Sequence, residues 1–338
     1  MIMNNSIEPS ILLIGAKSCS VSEGLLKCLR QAKFKNITLL EYSKDAAHLY
    51  RVENTIISDL TPDSGLDYVD KIISICISKK INIVIPGSTW EAKILSIYRE
   101  KFLSYSIIPL VNNHECIDLG DDKWVTYNKL FELNISTPKT YLKIDDSFVY
   151  PIVIKPRNGR GSQNVFIAKK EEELKLLIQY FIVNNIDYII QDYMHRDDQE
   201  YTVGVISESN GKVVQSIVMR RKLLGGATGY AEVCDHSYLN NFCEEVATKI
   251  KSTGPINIQL RLDQEGNPFI FEINPRFSGS APMRMLAGFN EVEMMIRHHF
   301  YNEKIEKRNI KVGSQYYRVF QEIEILHERK EGEIKNFL

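Results

Sequence analysis

Short apolar runs alternate with helix-length segments at the start of the chain, and this alternation narrows the possible folds more than any other feature. Ile11-Leu-Leu-Ile-Gly15 is apolar and ends in glycine, as expected for a strand buried on both faces that feeds a helix. Leu25, Leu26 and Leu29 follow at helical spacing within Ser22–Arg30. Ile37–Glu41 reads as a second strand, Ile56–Ser58 as a weak third, Tyr68–Ser78 as a helix and Ile81–Pro86 as a clear strand. Strands alternating with helices over residues 8–118 predict a parallel α/β sheet. Such a sheet takes ligands at the carboxyl ends of its strands. Its first turn, Gly15 to Gly24, does not spell G-x-G-x-x-G and gives no dinucleotide fingerprint. Pro86-Gly-Ser-Thr-Trp-Glu91 sits at a strand end. It can touch a substrate, or simply turn the strand into a helix with Ser88 or Thr89 as N-cap.

The pattern changes after residue 118. A helix is expected from Asp121-Asp122-Lys123 to Leu133, then a loop at Ser136–Thr140. Strands dominate afterwards, at 149–155, 164–168, 187–194, 200–207 and 212–219, with a last hairpin at 256–274. Helices are expected near 171–183 and 238–252. This is an α+β arrangement, and a domain boundary is expected near 118–122. The 338 residues suit about two domains of roughly 150 residues. The charged end, Glu328 to Lys335, reads as a solvated helix or a frayed terminus.

Charge and cysteine usage exclude several functions. The 42 Lys+Arg nearly cancel the 43 Asp+Glu, so neither a general nucleic-acid binder nor a polybasic membrane anchor is expected. No apolar run approaches the length of about 20 residues that spans a bilayer. Met1–Ser10 has no basic stretch and contains Glu8, unlike a signal peptide. Cys19, Cys28, Cys76, Cys116, Cys234 and Cys243 form no C-x-x-C pair and read as scattered reduced thiols of a cytoplasmic protein.

The last hairpin concentrates chemistry. Ile256–Leu262 and Phe269–Asn274 flank the turn-forming Asp263–Pro268. With a loop of Gln264–Asn267, Gln259 opposes Glu272 and Asn257 opposes Asn274. Opposed residues share a sheet face. One face then carries Ile256, Ile258, Leu260, Leu262, Phe269, Phe271 and Ile273, and the other carries Asn257, Gln259, Arg261, Ile270, Glu272 and Asn274. The second face is either an ordinary wet surface or an oxygen-rich one suited to Mg²⁺, which takes one or two carboxylates and completes its shell with phosphates and water. Arg276 and the small-residue loop Ser278-Gly-Ser280 follow directly, and an arginine there can grip phosphate oxygens.

Two further segments complete the set. Tyr150–Lys155 is a strand ending in lysine, followed by Pro156-Arg-Asn-Gly-Arg-Gly-Ser162. Two glycines and a serine between strands can turn backbone N–H groups toward an anion, with Lys155 and Arg157 or Arg160 adding positive charge. No Walker motif or kinase signature occurs. Tyr188–Met194 can offer backbone groups to a purine edge, and Glu200 can accept from ribose hydroxyls.

In this order, the elements resemble the ATP-grasp superfamily, and within it the carbamoyl-phosphate-synthase-like stand-alone carboxylate-amine ligases. The resemblance runs over about residues 8–300. It implies an α/β N-terminal parallel-sheet (pre-ATP-grasp) domain followed by an α+β ATP-grasp domain of two lobes. The implied divisions are a Rossmann-like domain at 1–118, a small lobe with its linker at 119–190 and a C-terminal lobe carrying the metal site at 191–338. Asp122-Lys123 with Ile135-Ser-Thr-Pro138 is similar to the family's linker motif and implies Lys123 near the ATP phosphates. Ile154-Lys-Pro156 with Gly159-Arg-Gly-Ser162 resembles the phosphate-contacting lysine and its glycine-rich flap. Gln191-Asp-Tyr-Met194 resembles the adenine hinge, with Gln191 where many members carry an acid, and Glu200 resembles the ribose ligand.

Asn257-Ile-Gln259 and Glu272-Ile-Asn-Pro-Arg276 resemble the metal-binding and catalytic strand pair. The resemblance thus implies Arg276, Lys155 and Asn257 as catalytic residues. It implies Lys123, Lys155, Gly159, Gly161, Ser162, Gln191, Asp192, Tyr193, Met194 and Glu200 as nucleotide contacts. Gln259, Glu272 and Asn274 are implied as ligands of Mg²⁺, with two ions and Mn²⁺ as an alternative metal. Arg220-Arg221 and Gly225-Gly-Ala-Thr-Gly229 lie where such proteins place substrate-facing loops, or form a solvated loop. The expected activity is attack of a small carboxylate on ATP to give an acylphosphate, then amide formation with an amine. A phosphotransferase acting on a small acid or carbamate, or a non-catalytic nucleotide binder, are the alternatives. A homodimer is the base-rate expectation.

Overall fold

The structure is a computed structural model describing residues 8–15, 21–43, 45–145, 147–159, 161–194, 197–319, 321, 322 and 324. Residues 16–20 of the Gly15–Gly24 segment, Cys19 among them, Arg160 and the charged end at 328–335 lie outside the described residues.

The first sheet is parallel throughout. It contains β1 (Ile11–Ile14), β2 (Ile37–Glu41), β3 (Asn54–Ile57), β4 (Ile83–Pro86) and β5 (Ile108–Pro109), in the order β3-β2-β1-β4-β5. α1 (Val21–Gln31) and α2 (Leu66–Ser78) pack on its two faces, because β1 alternates Ile11 and Leu13 toward one core with Leu12 and Ile14 toward the other. α3 (Thr89–Ile97) follows β4, and Ser88 is its N-cap, accepting from the Trp90 N–H at 3.1 Å. α4 (Arg99–Ser104) and α5 (His114–Asp121) complete this part.

Asp122 turns the chain into α6 (Lys123–Glu132) as its N-cap, accepting from the Trp124 N–H at 2.8 Å. A four-stranded antiparallel sheet follows, β6 (Thr140–Tyr141), β7 (Ile152–Pro156), β8 (Phe166–Ala168) and β9 (Tyr188–Asp192), in the order β6-β9-β7-β8. α7 (Glu171–Val183) covers the face made by Ile152, Ile154 and Ile190. Strand alternation sends Val153, Lys155 and Gln191 to the opposite face.

The third sheet has six antiparallel strands in the order β14-β13-β10-β11-β12-β15. These are β10 (Glu200–Ser207), β11 (Val213–Leu224), β12 (Ala227–Val233), β13 (Pro255–Leu262), β14 (Pro268–Asn274) and β15 (Gln315–Tyr317). α8 (Ser237–Lys249) packs on its apolar face together with residues of α5 and α6. α9 (Ala281–Leu286) and α10 (Glu291–Phe300) pack against α1, so one core cluster runs from β1 through these helices to β11.

Two expectations are corrected here. β11 extends to Leu224, well past 219, and residues 225–229 are not a loop. Gly225 and Gly226 alone form the turn, with φ of 56° and 79°, and β12 begins at Ala227. Two consecutive positive φ values are what a two-residue hairpin loop requires.

The second correction concerns the last hairpin. Asn257 pairs with Asn274 and Gln259 with Glu272, as the loop count predicts. Beyond Gln259 the register shifts by one, so that Leu260 faces Ile270 and Leu262 faces Pro268. The extra residue is Phe271, a β-bulge in which two residues oppose one. Ile270 therefore joins the core at 0% exposure, while Phe271 turns to the same side as Glu272.

Candidate functional site

A cavity of about 890 Å³, measured with its mouth, lies between the small sheet and the six-stranded sheet. Antiparallel register builds its floor in rows. Arg221, Glu200 and Arg261 lie side by side across β11, β10 and β13, and Thr202, Gln259 and Glu272 form the next row. A third row, Gly204, Asn257 and Asn274, lies beyond it. Every residue expected to contact nucleotide lines this cavity: Lys123, Lys155, Gly159, Gly161, Ser162, Gln191, Asp192, Tyr193, Met194 and Glu200. Gln259 and Glu272 line it as well.

Three expected residues stand off the lining. Asn257 is 2% exposed, and its Oδ1 accepts from Thr202 at 2.7 Å and from Arg284. Asn274 is also buried; its Nδ2 donates to Glu272 Oε1 at 3.1 Å. Arg276 donates from Nε to Thr89 Oγ1 at 2.9 Å and from NH2 to Asn274 Oδ1 at 3.0 Å. The Pro86–Glu91 segment thus holds Arg276 through Thr89, besides capping α3 through Ser88.

The cationic end is well defined. Lys155 donates from Nζ to Gln191 Oε1 at 2.7 Å and stands 5.6 Å from the Phe271 ring centroid. Gln191 is oriented in turn by donating to Thr140 Oγ1 at 2.9 Å. Burial, reinforced by the charge of Lys123, pushes the Lys155 ammonium down from 10.5 to about 7, with Glu272 opposing. Lys123 donates to the carbonyl of Gly159, which ties α6 to the flap. Arg157 is turned elsewhere, onto the helix-capping Asp122 at 2.7 Å, and does not line the cavity.

Sequence reasoning did not give roles to Phe271, Arg261 or the apolar wall. Val153, Val165, Ile167 and Pro138 line the cavity near the hinge, a surface suited to the flat face of a purine. Arg261 holds Glu200 Oε2 at 2.7 Å and the carbonyl of Met194 at 2.9 Å, linking hinge to floor. Arg221 holds Glu200 Oε1 at 2.9 Å and Gln259 Oε1 at 2.8 Å. Glu200, expected to receive ribose hydroxyls, already has a guanidinium on each oxygen. Its place opposite Arg261 follows from register alone, but a lone arginine on a polar face gives no such signal in the sequence.

Among the described residues, no three His, Cys, Asp or Glu side chains gather as a metal cage. Glu272 and Gln259 bring side-chain oxygens to the cavity, the kind of ligand Mg²⁺ takes alongside phosphate and water, but the Gln259 oxygen accepts from Arg221 and the Asn274 oxygen, off the lining, accepts from Arg276. No helix of the described residues is long and apolar enough to cross a membrane. Cys28, Cys76, Cys116, Cys234 and Cys243 are free thiols.

Residues 185–321 match the family model described as ATP-grasp in the biosynthetic pathway with Ter operon. The carbamoyl phosphate synthase large chain of Synechocystis sp. is 26% identical over 187 residues, covering 50% of this chain and 17% of that protein. The chain therefore spans about a fifth or less of such relatives. The biotin carboxylase domain dimer of the Hydrogenobacter thermophilus 2-oxoglutarate carboxylase, solved with MgADP and bicarbonate, superposes with a TM-score of 0.69 at 16% identity. That match covers 90% of this chain and 73% of that one. The L-amino acid ligase of Bacillus licheniformis gives 0.64 at 14% identity, covering 87% of this chain and 74% of that one. Residues 185–321 thus resemble the ATP-grasp family, and the chain as a whole shares the fold of these solved structures.

Proposed function

We propose that this protein is an ATP- and magnesium-dependent ligase that activates a small-molecule carboxylate as an acylphosphate and couples it to an amine, releasing ADP and phosphate. One observation carries the reading: the hinge, the lysine pair, the glycine flap and Glu272 line a single cavity. Adenine lies against Val153 and Ile167, with its edge on the backbone of Gln191–Met194. The phosphates run toward Lys123, Lys155 and Gly159–Ser162. Glu272, Asn274 and Gln259 would hold magnesium, one ion or two, or manganese in its place, with the ion sharing or displacing the arginine contacts on the Asn274 and Gln259 oxygens. When bound, the ion neutralises charge on the phosphates.

The chain's own groups do the rest. Lys155 and Arg276 stabilise charge on the transferring phosphoryl group. Arg276 is anchored for this by Thr89 and Asn274. The flap excludes water that would hydrolyse the acylphosphate. The reaction requires no side-chain nucleophile.

The dimer named for the Hydrogenobacter neighbour supports a homodimer for this chain, the balanced charge argues against a nucleic-acid partner, and the scattered cysteines without a disulfide pattern support a cytoplasmic enzyme. The test is a screen of carboxylate and amine pairs for magnesium-dependent ADP release, with the condensed product detected by mass. Release that needs both partners and yields an amide is the expected result. Release with the acid alone, yielding a stable phosphorylated product, would replace the ligase by a phosphotransferase. No turnover across a broad panel would favour a nucleotide binder.

A further inference from the structure

Arg221 lines the cavity, and the proposed reaction gives it no task. Its guanidinium is 8% exposed and spans three strands. Nε and NH2 hold Glu200 Oε1 at 2.9 and 2.8 Å, NH2 holds Gln259 Oε1 at 2.8 Å, and NH1 lies 3.5 Å from Thr228 Oγ1. Planar, always charged and bonded on several sides, it cannot swing away without leaving Glu200 half-paired.

This geometry bears on the metal. The oxygen that Gln259 would give a cation is the one that Arg221 occupies. A divalent ion on that oxygen would sit within a few ångströms of a guanidinium, with like charges poorly screened in a cleft. Glu200 cannot offset this repulsion, since Arg221 and Arg261 share its charge. Glu272 is then the carboxylate of the floor left to attract a bare ion. Nucleotide phosphates change the balance, because they bring negative charge to the cation and to Arg221 together.

We propose that Arg221 is a charge guard at the phosphate end of the cavity: it withholds the Gln259 oxygen from free divalent cations and favours the same cation when a nucleotide carries it. The proposal rests on the metal and nucleotide sites described above. It makes Arg221 a residue that selects metal–nucleotide over metal.

The test measures binding by electron paramagnetic resonance of Mn²⁺, alone and with ATP, on the full chain. In Arg221→Met, affinity for Mn²⁺ alone should rise about tenfold and affinity for Mn²⁺-ATP should fall about tenfold, as expected for one charge removed beside a cation and beside an anion. Opposite signs are the signature, because a variant that merely loosens the site weakens both. Unchanged or weaker Mn²⁺ binding in a variant with native circular dichroism would overturn the proposal. If Arg221→Met does not fold, Arg221→Lys keeps a cation on Glu200 but cannot span to Gln259. Mn²⁺ alone should then bind about threefold more tightly, and no gain would overturn the guard. Glu272→Gln serves as the separate control. If Mn²⁺-ATP binds that variant normally, the metal site itself is wrong, and Arg221 falls with it.

Discussion

Lys155 is joined to Gln191 by a 2.7 Å hydrogen bond from a buried ammonium to a neutral carboxamide, where an acid in the same place would make an ion pair. Burial and the nearby Lys123 hold Lys155 near pH 7, which sets a direction for pH. Phosphates bind the charged lysine, so above pH 7 binding takes up a proton and affinity falls, by up to about tenfold per pH unit. Without nucleotide the sign reverses. The folded value lies below the ordinary 10.5, so the unfolded chain binds more protons between these limits. The contribution of Lys155 to stability then rises with pH from about 7 toward 10.5 and is flat below 7. Calorimetry of ATP binding at pH 8 in buffers of different ionisation enthalpy measures the uptake. Gln191→Glu should raise the lysine and abolish it; persistent uptake would assign the proton to another group.

Glu272 is only partly buried and lies beside Gln259 in the cavity floor. Glu272→Ala should leave the thermal midpoint within a few degrees of the parent and lower magnesium-dependent ATP turnover by at least about a hundredfold. Comparable turnover in the two proteins would remove Glu272 from the site.

The hairpin explains how far the sequence could be read. Turn formers at 263–268 and a count of paired positions give the Asn257–Asn274 and Gln259–Glu272 pairs, because register follows from loop length. The bulge at Phe271 was not legible. Phe269, Ile270 and Phe271 are all apolar, so alternation carries no information about which of them turns inward. The same degeneracy hid the aromatic edge beside Lys155. Arg221 and Arg261 were legible as residues but not as a pair, since their common partner Glu200 lies on another strand. The Gly225–Gly229 segment misled because glycine content alone does not separate a loop from a tight turn and the strand that follows it.

The flap meets the β11–β12 turn where Gly161 and Ser162 lie against Gly226. A Cβ on Gly226 would lie 2.1 Å from the carbonyl oxygen of Gly161, whereas one on Gly225 would meet nothing. Both glycines have positive φ, so alanine at either costs about 1 kcal/mol of backbone strain. Gly226→Ala should additionally lift the flap, raising the ATP KM several-fold and speeding limited proteolysis within residues 157–163. Gly225→Ala is the matched control. Equal behaviour of the two variants would show that the contact does not restrain the flap.

Arg284 and Glu291 form an ion pair in which both side chains are 1% exposed, with two 3.2 Å contacts from NH1. The guanidinium lies against Gly204, where a Cβ would come within 2.5 Å of it, and holds Asn257 from below. Burial pushes the Glu291 carboxyl above its ordinary value, and Arg284 counteracts this. Arg284→Met removes that compensation and leaves an acid buried without its cation. The expected loss is about 3–5 kcal/mol by urea unfolding at neutral pH. The carboxyl of the variant folds more readily in its neutral form, so the unfolded chain releases its proton first, and the loss should grow as pH rises from 5 to 8. Arg284→Met combined with Glu291→Leu should recover part of the stability, because an apolar pair replaces the unpaired charge. A single variant as stable at pH 8 as at pH 5 would mean that Glu291 does not depend on Arg284.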